Sequence, residues 1–154
     1  MIALAICLAG LLLEALAAGA GVRRYLEGLK WPTLSPPLWV WYIIGLLYYV
    51  VVFVCTIRIL AQSATNSARN VALALLLLIV FLNAAWNLLF FRVRNLGATF
   101  AFSLIYSAIV VVCLFWLSLV DLIAARALGV YAIYLLYANV WGYRLWRLNA
   151  PALS

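Results

Sequence analysis

Histidine is absent from the 154 residues. That absence excludes a His-ligated haem, a His-bound zinc and imidazole acid–base catalysis. Acids are almost missing too: Glu14, Glu27 and Asp121 are all there are. Three carboxylates so far apart offer no acid–base pair and no metal site. Cysteine is sparse, and Cys7, Cys55 and Cys113 each fall inside an apolar run with no C-x-x-C spacing. They read as buried structural thiols, not as a disulfide framework. Charged residues of both signs make up only 8% of the chain, against about 25% in a typical soluble domain.

What the chain does have is apolar surface. Hydrophobic residues account for 71%, where soluble domains average about 45–50%. A soluble fold of this length buries only about 70% of its surface, so water is the wrong solvent and a lipid bilayer the right one. The net charge is +7, but the basic residues sit singly or in pairs at the ends of apolar runs. They suit topology and lipid headgroups. No basic stripe is present, so nucleic acid is not an expected partner.

The apolar runs predict an all-α integral membrane protein: a five-transmembrane-helix bundle, single-domain over 1–154, with a proline-rich cytoplasmic loop between helices 1 and 2. The expected spans are about 2–22, 38–60, 71–91, 97–120 and 125–148. The first run lacks a basic n-region and is interrupted by Glu14, so we read it as a retained helix and not a cleaved signal peptide. The loop carries Pro32, Pro36 and Pro37, which restrict their own backbone and the residues before them. Leu96 to Tyr143 is 48 residues, about 70 Å as one helix. A core of about 30 Å forces a turn, expected between Asp121 and Arg126.

Counting the ends of five spans puts Arg23, Arg24, Lys30, Arg92, Arg94, Arg144 and Arg147 on one side. Arg58, Arg69 and Arg126 fall on the other. The richer side is expected in the cytoplasm, with the C-terminus, leaving the N-terminus outside. No internal repeat is visible, which argues against inverted-repeat transporter folds.

Polar side chains inside a span are costly and therefore candidate functional groups. Asn83, Trp86 and Asn87 are spaced i, i+3, i+4 and share a helix face. Two readings stay open for them: a patch that orients a ligand, or hydrogen bonds between helices. Glu14 is either an acid bonded to a neighbouring helix, a lining of a wet cavity, or a member of a proton relay. Tyr131, Tyr134 and Ala138 share a face of the last span, where aromatic planes suit a flat guest or simply pack. Val140, Tyr143 and Arg147 also fit a loose sterol-contact pattern.

Several motifs then combine. Tyr25, Leu29, Lys30, Pro32, Pro36, Pro37 and Trp39 form one set. Leu82, Asn83, Trp86, Phe90 and Phe91 form a second, followed by Asn95, Gly97 and Trp116. Ala124, Ala125 and Arg126 open a third, with Tyr131, Ala138, Trp146, Arg147 and Asn149 after them. Together they resemble the TspO/MBR family of tryptophan-rich sensory proteins and translocator proteins, over about residues 10–149. Leu34 stands where that pattern has a tryptophan between the prolines, and Tyr134 stands for the tryptophan of the last span.

The resemblance implies a cavity inside the bundle, capped by the first loop. It implies a receptor- or sensor-like protein that needs no cofactor and binds a tetrapyrrole such as protoporphyrin IX, or a sterol-like molecule. It also implies a homodimer in a bacterial inner membrane or an organellar membrane. The expected ligand-binding residues are Asn83, Trp86, Asn87, Tyr134, Ala138, Trp39, Pro36 and Lys30. Asn83 and Asn87 would bond the guest's polar edge, Trp86 and Tyr134 would stack, and Lys30 or Arg24 would attract propionates. Without histidine, a metal-free porphyrin fits better than haem. Two alternatives stand beside binding: photo-oxidative porphyrin degradation, for which no catalytic residue is assigned, and small-molecule transport, which only Glu14 supports.

Overall fold

The computed structural model describes residues 1–150. Six α-helices account for most of them: α1 (Ile2–Ala18), α2 (Val22–Glu27), α3 (Leu38–Leu60), α4 (Ser67–Asn87), α5 (Leu96–Ser118) and α6 (Leu122–Asn149). A π-helical turn, Leu88–Val93, extends α4.

Three helix starts are written in short polar residues. Asn66 accepts from the amides of Ala68 and Arg69, at 3.0 and 3.3 Å. Asn95 accepts from Ala98 at 3.0 Å, and Asp121 from Ile123 and Ala124 at 3.0 and 2.9 Å. Each satisfies amides that a helix N-terminus leaves unpaired. The turn expected between Asp121 and Arg126 therefore comes earlier, because Asp121 already caps α6.

The expected five-span bundle needs correction. Four helices are long and apolar enough to cross a membrane: Leu38–Leu60, Ser67–Val93, Leu96–Ser118 and Leu122–Asn149. The first helix has only 17 residues, about 25 Å at 1.5 Å each, short of a core of about 30 Å. The expected run to residue 22 fails at Gly19 and Gly21, whose φ angles are +66° and +89°. Both lie in the left-handed region that glycine tolerates and other residues avoid. A Cβ on Gly19 would also lie 2.7 Å from Arg92 Nε. Nor is the next connection a single proline-rich loop. Its first part is α2, and Pro32, Pro36 and Pro37 occupy a shorter non-helical stretch, 28–37.

The long helices and α1 pack in the cyclic order α1–α4–α5–α6–α3, which closes on α1. The protein is thus an integral, multi-pass membrane protein. Its outer faces carry exposed Leu46, Phe81, Ile105 and Leu136, as lipid contact requires. The dense core fills the half remote from residues 28–37, where Cys55, Ile59, Leu76, Val110, Cys113 and Leu128 are essentially fully buried. At that end the Arg58 Nη2 bonds Asp121 Oδ2 at 2.7 Å, and Nε reaches both carboxylate oxygens at 3.0 and 3.1 Å. The pair ties α3 to the start of α6. In the other half a smaller cluster forms around Phe90, Trp141 and Leu145, and there the packing opens.

Candidate functional site

A cavity of about 120 Å³ lies among α3, α4, α5 and α6 in that looser half. Trp41 enters from α3, Asn83 and Trp86 from α4, and Phe90 from the π-turn. Leu96, Thr99, Phe100, Ser103 and Tyr106 come from α5. Tyr131, Tyr134, Leu135, Ala138, Asn139, Trp141, Gly142 and Leu145 come from α6. None of these is charged, so the space suits an apolar guest. The walls are mostly aromatic. Trp86 and Phe90 stack with ring centroids 4.9 Å apart and planes 10° from parallel. They are four residues apart, across the entry to the π-turn, which is a frequent device at functional sites.

The polar groups at the cavity are mostly tied down. Asn139 accepts from the Ser103 hydroxyl and donates to the Ser107 hydroxyl, both at 2.8 Å. The Tyr106 and Tyr131 hydroxyls share a bond of 2.9 Å. The Trp41 indole nitrogen is buried with no hydrogen-bond partner among the described residues. Such a donor is costly to leave unpaired. Behind Asn83, Glu14 Oε1 accepts from both the Tyr49 hydroxyl and Asn83 Nδ2.

Residues 28–37, the expected cap, pack against Trp141 of the cavity wall, and α6 holds them there. The Lys30 amide donates to Asn149 Oδ1 at 2.9 Å, and Asn149 Nδ2 donates back to the Lys30 carbonyl at 2.9 Å. The Trp141 indole donates to Ser35 Oγ and the Tyr137 hydroxyl to the Leu34 carbonyl, each at 2.9 Å. Leu34 sits at φ +81°, a strained setting for a residue with a Cβ. Below the cap, α2 presses Tyr25 edge-on to Phe90 at 5.7 Å. Burial pushes the Tyr25 phenol up, opposed by the Arg94 guanidinium 5.0 Å over its ring.

Of the expected binding residues, Asn83, Trp86, Tyr134 and Ala138 come together at the cavity. Four others lie elsewhere. Asn87 donates its side-chain amide to the Asn83 backbone carbonyl at 3.0 Å. Trp39 is 62% exposed on the outer face of α3. Pro36 lines a separate, open groove between α2 and the start of α3. Lys30 contributes its backbone to the Asn149 clamp. Sequence reasoning missed Trp41, Phe100, Trp141 and the whole α5 wall. A signal for that wall exists: Thr99, Ser103 and Tyr106 are spaced i, i+4, i+7, one helical face.

Comparison with known proteins gives the chain's family. Protein CrtK of Rhodobacter capsulatus is 25% identical over 125 residues, covering 80% of this chain and 77% of that protein. The pattern of the TspO/MBR family matches residues 3–147. That range covers the helices that wall the cavity, α6 as far as Arg147, and residues 28–37, and the chain belongs to the TspO/MBR family.

Proposed function

We propose that this protein is a membrane receptor of sensory type that holds a flat, hydrophobic guest, a tetrapyrrole such as protoporphyrin IX, in the capped cavity. Family membership supports a hydrophobic small-molecule ligand in general. The observation that carries the narrower reading is the uncharged aromatic lining, with Trp86 and Phe90 already parallel. A planar ring system slid against Trp86 gains area burial plus stacking.

The cavity as folded is smaller than the roughly 300–1,000 Å³ of ordinary ligand pockets. A tetrapyrrole therefore enters only when the cap lifts and the rings part, so the structure corresponds to a closed form. Residues 28–37 are the movable part, because a few hydrogen bonds hold them and the core lies elsewhere. The capped end carries seven of the ten basic residues, and we infer that it faces the cytoplasm.

The test is a titration of purified protein in detergent with protoporphyrin IX, read by tryptophan quenching. Wild type should saturate, and Trp86→Ala should bind about tenfold more weakly, the worth of one lost aromatic stack. Identical saturation curves for the two proteins would remove the cavity as the binding place.

A further inference from the structure

Glu14 does not line the cavity, yet it acts on a residue that does. It projects from α1 between α3 and α4, and its Oε1 takes hydrogen bonds from the Tyr49 hydroxyl and from Asn83 Nδ2. One turn earlier, Gly10 makes this approach feasible. A Cβ there would lie 2.8 Å from Val80 and 3.0 Å from the Tyr49 ring. The bare backbone of Gly10 and the carboxyl of Glu14 thus seat the same tyrosine.

An asparagine amide has a donating end and an accepting end. With Nδ2 committed to Glu14, Asn83 Oδ1 is the end left over, and it has no protein partner among the described residues. Asn139, by contrast, is engaged at both ends by Ser103 and Ser107. Among the described residues that line the cavity, Asn83 Oδ1 is thus an open acceptor and Trp41 Nε1 an open donor, beside the Tyr134 hydroxyl, which can do either.

We propose that Glu14 is a specificity-determining positioning residue. It fixes the Asn83 amide with its carbonyl oxygen toward the cavity, so the cavity selects an aromatic guest bearing an N–H or O–H donor at that point. The proposal rests on the reading of the cavity as a binding site. It does not depend on the charge of Glu14, because a carboxyl oxygen accepts in either protonation state if the proton sits on its partner oxygen.

The test uses two one-ring probes, which ask far less opening of the cavity than a tetrapyrrole does; a dry cavity of about 150 Å³, somewhat larger than this one of about 120 Å³, accepts benzene. One is 4-fluorophenol, a donor. The other is 4-fluorobenzonitrile, an acceptor only. Binding to protein in lipid nanodiscs is followed by ¹⁹F NMR, with empty nanodiscs as the partition reference. Wild type should favour the phenol by about fivefold beyond that reference, the size of one net hydrogen bond. Glu14→Gln, which keeps an oxygen for both donors, should retain the preference. Glu14→Leu frees the amide to turn, and the preference should collapse to about unity.

An unchanged preference in Glu14→Leu overturns the proposal, as does a wild type that binds both probes equally. The wild-type arm holds even if the leucine variant fails to fold. Equal binding removes this inference and leaves the cavity as a binding site. Binding of neither probe above empty nanodiscs removes the binding site and the inference with it.

Discussion

Asn149 is the strongest single hold on the cap, and its removal gives the sharpest measurement of how the cavity opens. Its side chain makes two hydrogen bonds to the Lys30 backbone, one as acceptor and one as donor, across 119 residues of sequence. A net hydrogen bond is worth about 1 kcal/mol. Asn149→Ala should therefore shift the closed–open balance of residues 28–37 by about 2 kcal/mol, or about thirtyfold. Asn149→Asp keeps the acceptor and loses the donor, and should shift it by about fivefold.

If only the open form admits a guest, the apparent affinity scales with the open fraction. Stopped-flow mixing with protoporphyrin IX should then show the observed association rate rising in the order wild type, Asn149→Asp, Asn149→Ala. Thermal midpoints should change little, because the dense core lies at the far end of the bundle. A common association rate for all three proteins would refute the reasoning, since it would mean that the guest enters without lifting residues 28–37.

Two further outcomes follow from the packing. Arg58, chiefly through its hydrogen bonds, holds the Asp121 carboxyl below the usual carboxylate range, helped by the amides of Ala124 and Ile123. A lowered folded value means the stabilisation is complete above an ordinary aspartate value of about 3.9 and is lost as pH falls through the lowered one. Thermal midpoints of wild type should drop below about pH 4, and Asp121→Asn should start lower and lose that part of the dependence. Gly10→Val inserts a side chain where Val80 and Tyr49 leave no room. It should cost about 1–3 kcal/mol by overpacking, read as a lower denaturation midpoint and a loosened α1.

Much of this fold is legible from residue type alone. Apolar runs set the four long helices, and Asn66, Asn95 and Asp121 announce three of their starts. The first helix misleads because Ala17 to Val22 reads as continuous apolar chain. Hydropathy is blind to backbone angle, and the two glycines in that stretch turn the chain out of helix. At the site, Asn83 and Trp86 are legible because helical spacing puts them on one face. The hydroxyls of Thr99 and Ser103 are easily taken for packing, since each bonds a carbonyl of its own helix. Lys30 misleads for a different reason. Its charge draws attention to the side chain, while its role in the structure is played by the backbone, with a partner at the opposite end of the chain.

Trp141 occupies a double position. Its ring faces the cavity, 4.7 Å from Trp41, while its indole N–H holds Ser35 in the cap. A guest large enough to displace that ring has to break the hold on Ser35. Under the proposed function, occupancy of the interior would thereby be converted into a change at the protein's surface through a single side chain. Such a relay would need no rearrangement of the helices, and it would give a partner at that surface a way to register whether the interior is filled.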